Sequence, residues 1–172
     1  MRLVLRALIG VVLALPWLPA NAEIVAASAD HFHIRLQAES TTTPEPLWQK
    51  LTQPATWWNS AHTYSGDAQN LSLDPIAGGM WIETWPQGSV WHGTVLQAQP
   101  PTTLRLNAPF GPLQGLGINV VWTISFEPLE AGTRVHFDIL ANGTSASGLD
   151  TLAAPVEGVF AEALDQLTQT EN

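Results

Sequence analysis

The sequence predicts an α+β fold, a curved seven-stranded antiparallel sheet wrapped around one long C-terminal helix, with two short helices after the first strand. Two successive periods predict it. From Phe32 to Ile139 apolar residues recur mainly at every second position, and from Leu149 they recur at spacings of three and four. A third observation concerns what the sheet encloses. Seven of the eight tryptophans lie between Trp48 and Trp122, and large aromatics both fill cores and line pockets for flat or greasy ligands.

The chain opens as an export signal. Arg2 and Arg6 precede an apolar run from Ala7 to Leu18, and Ala20-Asn21-Ala22 supplies a small-x-small cleavage pattern before Glu23. The run is shorter than the ~20 residues a spanning helix needs, so no stable membrane insertion is expected after processing. Residues 1–22 are therefore expected to be removed, leaving one periplasmic or secreted domain over 23–172.

In the mature chain, Phe32, Ile34, Leu36 and Ala38 alternate with polar neighbours, as in a strand with one buried face. Thr43-Pro44-Glu45 reads as a capped helix start, carrying Leu47, Trp48 and Leu51 inward until Pro54. Trp57-Trp58-Asn59 follows in a turn or second short helix, and these three tryptophans are expected to anchor the helices to the sheet. Leu71–Leu73 is a short strand, and Met80–Trp85 and Val90–Gln97 form a hairpin around Pro86-Gln87-Gly88. Thr103–Ala108, Gly117–Phe126 and Thr133–Ala141 complete the sheet. Leu149, Leu152, Val156, Val159, Phe160, Ala163, Leu164 and Leu167 then form a one-sided helical stripe. Pro155 either starts that helix or kinks it.

Composition excludes several partners. Glu23–Asn172 holds four basic residues against fifteen acidic ones, a formal charge of −11. Such a surface repels nucleic acid and anionic lipid headgroups. There is no cysteine, hence neither a disulfide nor a thiol nucleophile. The glycine-rich stretches Gly143–Gly148 and Gly115-Leu116-Gly117 lack nucleophile-elbow and dinucleotide-loop spacing. No cofactor is expected, and the protein is expected to be a monomer or weak dimer.

The local motifs Trp57-Trp58, Gly78-Gly79-x-Trp81-x-Glu83, His92-Gly93-x-Val95, Pro100-Pro101-x-x-Leu104, Phe110-Gly111-Pro112-Leu113-Gln114 and Gly132-Thr133-Arg134-Val135 carry a family resemblance. Together with the terminal helix, they make the chain similar to the helix-grip (SRPBCC, START-like) superfamily, in its bacterial polyketide cyclase/Hsp90-activator-like branch. The resemblance implies strand order 1-7-6-5-4-3-2 with the helix across the concave face. It implies a cavity lined by Ile118, Val120, Trp122, Phe137, Val156, Phe160 and Leu164 plus parts of the central hairpin. A hydrophobic or aromatic ligand (a lipid, quinone or polyketide-like molecule) is the expected occupant. An exported chain does not meet a cytosolic chaperone, so Hsp90 is not carried over as a partner.

Candidate chemistry is sparse. Trp81, Glu83 and Trp85 share one face of their strand. Facing inward, Glu83 would sit between indoles, where desolvation would raise its pKa and suit it to acid–base work. The favoured reading instead turns it outward, or pairs it with Arg105 or Arg134. Strict alternation puts Trp91, Gly93 and Val95 opposite His92, the other acid–base candidate. Trp81, Trp85 and Trp91 join Phe110 as expected lining, with Phe110–Gly115 as a gate and Tyr64 and Asp67 as polar contacts. On the outer face His31, His33, His136 and Asp138 are the candidate metal ligands, although solvation explains them better. The expected function is binding of a hydrophobic small molecule, and the alternative is a cyclase or dehydratase using Glu83 or His92.

Overall fold

The computed structural model describes residues 21–170. Apart from Asn21 and Ala22, the expected signal segment lies outside the described residues. Eight antiparallel strands form a single sheet: β1 (Asn21–Ser28), β2 (His31–Ser40), β3 (Leu71–Leu73), β4 (Met80–Trp85), β5 (Gly88–Gln99), β6 (Thr103–Asn107), β7 (Asn119–Leu129) and β8 (Gly132–Asn142). Their order is β1-β2-β8-β7-β6-β5-β4-β3. From β2 onward this is the expected topology.

The difference is β1, an eighth strand at the edge, paired with β2 from Asn21↔Gln37 to Ser28↔His31. None of its own residues is fully buried. Ile24 and Val25 are 40% and 39% exposed, so the strand lacks the sharp apolar alternation that marks β2, β7 and β8.

Helix α1 (Pro44–Leu51) begins at Thr43 with proline in its first turn, and it buries Leu47 and Leu51. The Thr43 side chain makes no capping bond. In place of a second α-helix come three single 3-10 turns, Pro54–Thr56, Ser60–His62 and Ala68–Asn70. Asn59 and Asp67 cap two of them, each accepting a hydrogen bond from a backbone N–H two residues on. A one-turn helix, α2 (Pro112–Gly115), interrupts the β6–β7 connection.

Helix α3 (Leu149–Thr168) is continuous through Pro155. It buries Leu149, Ala153, Phe160, Ala163, Leu164 and Leu167 against the sheet face presenting Phe32, Ile34, Leu36, Val120, Trp122, Ile124, Val135, Phe137 and Ile139. The alternation along β2, β7 and β8 is thus a record of which side chains meet α3. Lys50 of α1 donates to the carbonyls of Gln166 (2.7 Å) and Gln169 (2.8 Å), tying α1 to the end of α3.

Candidate functional site

The apolar stripe of α3 is wider than the sheet can cover. Leu152, Pro155, Val156, Val159 and Phe160 form one wall of a cleft of about 670 Å³. The opposite walls are the 58–64 segment (Trp58, Ala61, His62, Thr63 and Tyr64) and the Phe110–Leu113 loop, with His92 between them. The rim is held from two sides. Glu162 of α3 accepts hydrogen bonds from Asn59 Nδ2 and His62 Nε2, the latter at 3.1 Å. The Tyr64 hydroxyl donates to Gly111 O at 3.1 Å, and Gly111 has φ 56°, a conformation glycine adopts without strain. The expected gate loop is therefore latched, with Gln114 Nε2 also donating to Trp91 O.

Of the residues expected to line a cavity, Phe110, Val156 and Phe160 are on the cleft wall. Trp81, Ile118, Val120, Trp122 and Phe137 are not. They are close-packed behind it, none more than 4% exposed. Trp122 lies 4.8 Å from Phe160 and 4.9 Å from Phe137, both edge to face, and Trp81 lies 5.2 Å from Phe110. These rings consume the concave face. Leu164, likewise, is fully buried.

Trp58 is the aromatic lining residue that sequence reasoning missed, together with Ala61, His62, Thr63, Leu152, Pro155 and Val159. Its ring stacks on Phe110 (5.5 Å, 26°), and its indole N–H is satisfied by His62 O at 3.1 Å. Trp57, by contrast, is buried and donates to Leu51 O. Trp48 packs edge-on to Phe126. Trp58 also packs on Trp81 and Trp122 of the sheet, at 5.5 and 6.4 Å, so it serves both as anchor and as cleft lining.

Trp85 and Trp91 leave the cavity altogether. Trp85 closes the β4–β5 hairpin, its ring packed over Gly88. Trp91 is displaced by a β-bulge. Ile82 pairs with Trp91 and Trp81 with Gly93, so β5 carries one extra residue here. Both His92 and Gly93 are consequently buried, while Trp91 turns its indole to Thr94 Oγ1 (3.1 Å). A bulge re-aims side chains in this way, and strict alternation through it fails.

Glu83 faces inward with Trp81 and is fully buried. Neither arginine reaches it. Arg105 donates to Thr123 and Gln97, and Arg134 to Glu39 and Glu127. Glu83 instead accepts from the backbone N–H groups of Tyr64 (3.0 Å) and Ser65, and lies 3.0 Å from His92 Nε2. Burial pushes its pKa up, but the hydrogen bonds from Ser65, Tyr64 and His92 outweigh burial and hold it below the ordinary range. The expected rise is therefore reversed. Burial also pushes the His92 imidazole down, and Glu83 only partly offsets this. The pair is an ionised carboxylate and a neutral imidazole. Tyr64 and Phe110 flank that imidazole at 5.9 and 5.7 Å. Asp67, the other expected polar contact, caps a turn and does not line the cleft.

The outer-face residues disperse. His33 meets Asp138 at 3.2 Å, but Asp138 also accepts from Arg35. His31 bonds Ser28, and His136 bonds Glu127. Among the described residues no group of three or more histidine, cysteine, aspartate or glutamate side chains is placed to hold a metal ion. No described helix is long and apolar enough to cross a membrane.

Residues 31–170 match a family model described as polyketide cyclase / dehydrase and lipid transport. No curated protein matches the chain. Among solved structures, a Rhodobacter sphaeroides protein is 23% identical with a TM-score of 0.55, over 86% of this chain and 95% of its own. A Rhizobium leguminosarum protein is 15% identical with a TM-score of 0.59, over 87% and 95%. The Aha1 dimer from Colwellia psychrerythraea is 18% identical with a TM-score of 0.57, over 79% and 92%. At these identities the likeness is one of fold.

Proposed function

The chain belongs to the polyketide cyclase / dehydrase and lipid transport family, and from that premise we propose that it is an exported protein holding a hydrophobic small molecule in the cleft beside α3. One observation carries the reading. The cleft, about 670 Å³, has a mostly apolar and aromatic wall with a few polar side chains, His62, Thr63, Tyr64 and His92, on one side of it, which is the usual anatomy of a small-molecule site. Native mass spectrometry of the protein purified from its own compartment tests this. An apolar mass should co-purify and be lost when Val156→Asp places a charge in the wall; an unliganded protein that takes up no apolar compound overturns it.

Export rests on Arg2, Arg6, the apolar run and Ala20-Asn21-Ala22. Cleavage before Glu23 takes two residues from edge strand β1, leaving its other pairs with β2 in place. The mass of the protein recovered outside the cytoplasm should correspond to residues 23–172, and the full-length mass there would count against it.

The buried Glu83–His92 pair favours a second reading, a cyclase or dehydratase in which a neutral imidazole takes a proton from the bound molecule. In a turnover assay at saturating substrate His92→Phe should then abolish activity. Unchanged turnover would remove this reading.

A further inference from the structure

The chemistry facing the cleft is one-sided. Ionised Glu83 can only accept hydrogen bonds, and its other two partners are the N–H groups of Tyr64 and Ser65. Nε2 of His92 must therefore be the donor in its 3.0 Å contact with Glu83, which fixes the tautomer of the neutral ring and leaves the lone pair on Nδ1. Nδ1 makes no hydrogen bond among the described residues. Nor is it sealed, since the sealed and unpaired side-chain atoms are the Trp81 and Trp122 indole nitrogens and the Asn107 amide oxygen. His92 thus offers the cleft an acceptor and no donor. The wall contains no lysine or arginine, and His62, its other histidine, is engaged by Glu162.

We propose that the cleft selects a neutral, flat, apolar molecule bearing a hydroxyl group, which donates to Nδ1 of His92, and rejects the corresponding carboxylate. The inference rests on the cleft being the ligand site. A hydroxyl supplies the proton that Nδ1 lacks. A carboxylate supplies none, finds no cation, and must be desolvated near the negative charge of Glu83. The rings of Tyr64 and Phe110 beside the imidazole, with Trp58 stacked on Phe110, offer faces and edges to an aromatic ring carrying that hydroxyl.

The test titrates the full mature chain with naphthol, methoxynaphthalene and naphthoate, all substituted at the same carbon. Naphthol should bind about tenfold more tightly than methoxynaphthalene, the worth of one well-shielded hydrogen bond, and naphthoate should bind most weakly. In His92→Phe the affinity for methoxynaphthalene should survive and the preference for naphthol should vanish. Equal binding of the three probes, naphthoate binding tightest, or a preference that survives His92→Phe overturns the proposal while sparing the cleft as a site. Binding of none of them overturns both. If His92→Phe does not fold, the ranking by the wild-type chain decides alone.

Discussion

Nε2 of His92 lies 3.0 Å from Oε2 of Glu83, and neither residue is more than 5% exposed. The contact is diagonal across two neighbouring strands. Glu83 stands opposite Val90, and His92 is two residues further along β5, within reach of two long side chains on one sheet face. Around the same carboxylate the chain folds back through Tyr64 and Ser65, both donating backbone N–H groups. One buried charge therefore organises the β4–β5 hairpin, the 58–64 wall of the cleft and the tautomer of its histidine.

Glu83→Ala should accordingly be among the most damaging single changes in the protein. It orphans three donors at once, the backbone N–H groups of Tyr64 and Ser65 and Nε2 of His92, and each buried donor left unpaired costs about 1 kcal/mol or more. Urea unfolding checks this against Glu39→Ala, which breaks an exposed pair with Arg134 and should leave the midpoint where it was. Equal midpoints for the two variants would deny Glu83 its organising role.

The same pair sets an acid limit. His92 titrates below its ordinary 6.5 in the folded protein because burial disfavours the imidazolium. Below about pH 6.5 the unfolded chain therefore binds a proton that the folded chain refuses, and stability falls as pH falls. Glu83, held below its ordinary 4.5, adds a second loss that starts near that pH and runs down through its folded value. Asp165, raised by burial, works in the opposite sense in the carboxylate range, so the higher-pH step is the cleaner one. Unfolding midpoints measured from pH 7.5 to about 5 should slope downward, and His92→Phe should flatten that slope. A slope unchanged in the variant assigns the step to another group.

Gly93 permits the bulge that brings His92 inward. A Cβ at this position would lie 2.7 Å from both Ala108 Cβ and Asn107 O, and 2.9 Å from Ala108 Cα. Two of those atoms are backbone, so β5 and β6 would have to part. Gly93→Ala is expected to cost roughly 2 kcal/mol as overpacking, whereas Gly115→Ala, where a Cβ meets open space, should be close to neutral. Thermal unfolding of the two variants side by side settles the comparison.

These residues also mark where the sequence stops being readable. Strands β2, β7 and β8 and helix α3 were legible because each buries one face against the other, and burial on one face writes period two or three-to-four into the chain. Strand β1 lies against β2 and α3 but buries none of its own residues fully, so it carries no strict period and was invisible. The bulge was invisible for a different reason. One extra residue leaves no mark in composition, yet it separates Trp91 from Gly93 and brings His92 beside it. Trp57-Trp58 fails similarly, since two adjacent indoles in a non-repetitive turn need not share a direction. The aromatic wealth did predict a ring-filled interior. Most of those rings pack on one another, and the cleft forms at the edge of the cluster, against α3 and two loops.

Lys50 is the one lysine in the chain, and it caps α3 by donating to Gln166 O and Gln169 O. A cation at a helix C-terminus satisfies orphan carbonyls and opposes the negative end of the dipole. Lys50→Met keeps most of the aliphatic stem and removes the charge. A loss of about 1 kcal/mol is expected from urea unfolding, less at high salt because the contact is partly solvated. No change at low salt would mean that the two bonds contribute nothing net.

Trp58 should report occupancy of the cleft almost alone. It is 7% exposed and lines the cleft, whereas Trp57, Trp81 and Trp122 are at most 1% exposed, and Trp48, Trp85 and Trp91 are absent from its wall. A brominated long-chain alcohol quenches an indole only at contact distance, so bound in the cleft it should dim Trp58 and leave the sealed rings bright. The wild-type emission should fall in a saturable way as the alcohol is added. Trp58→Phe should fold, because the ring stack on Phe110 is preserved in kind, and should lose most of the saturable quenching. Quenching of equal depth in the variant would mean that the alcohol sits elsewhere, for instance beside Trp85 or Trp91, and the cleft beside α3 would lose its claim to be the ligand site.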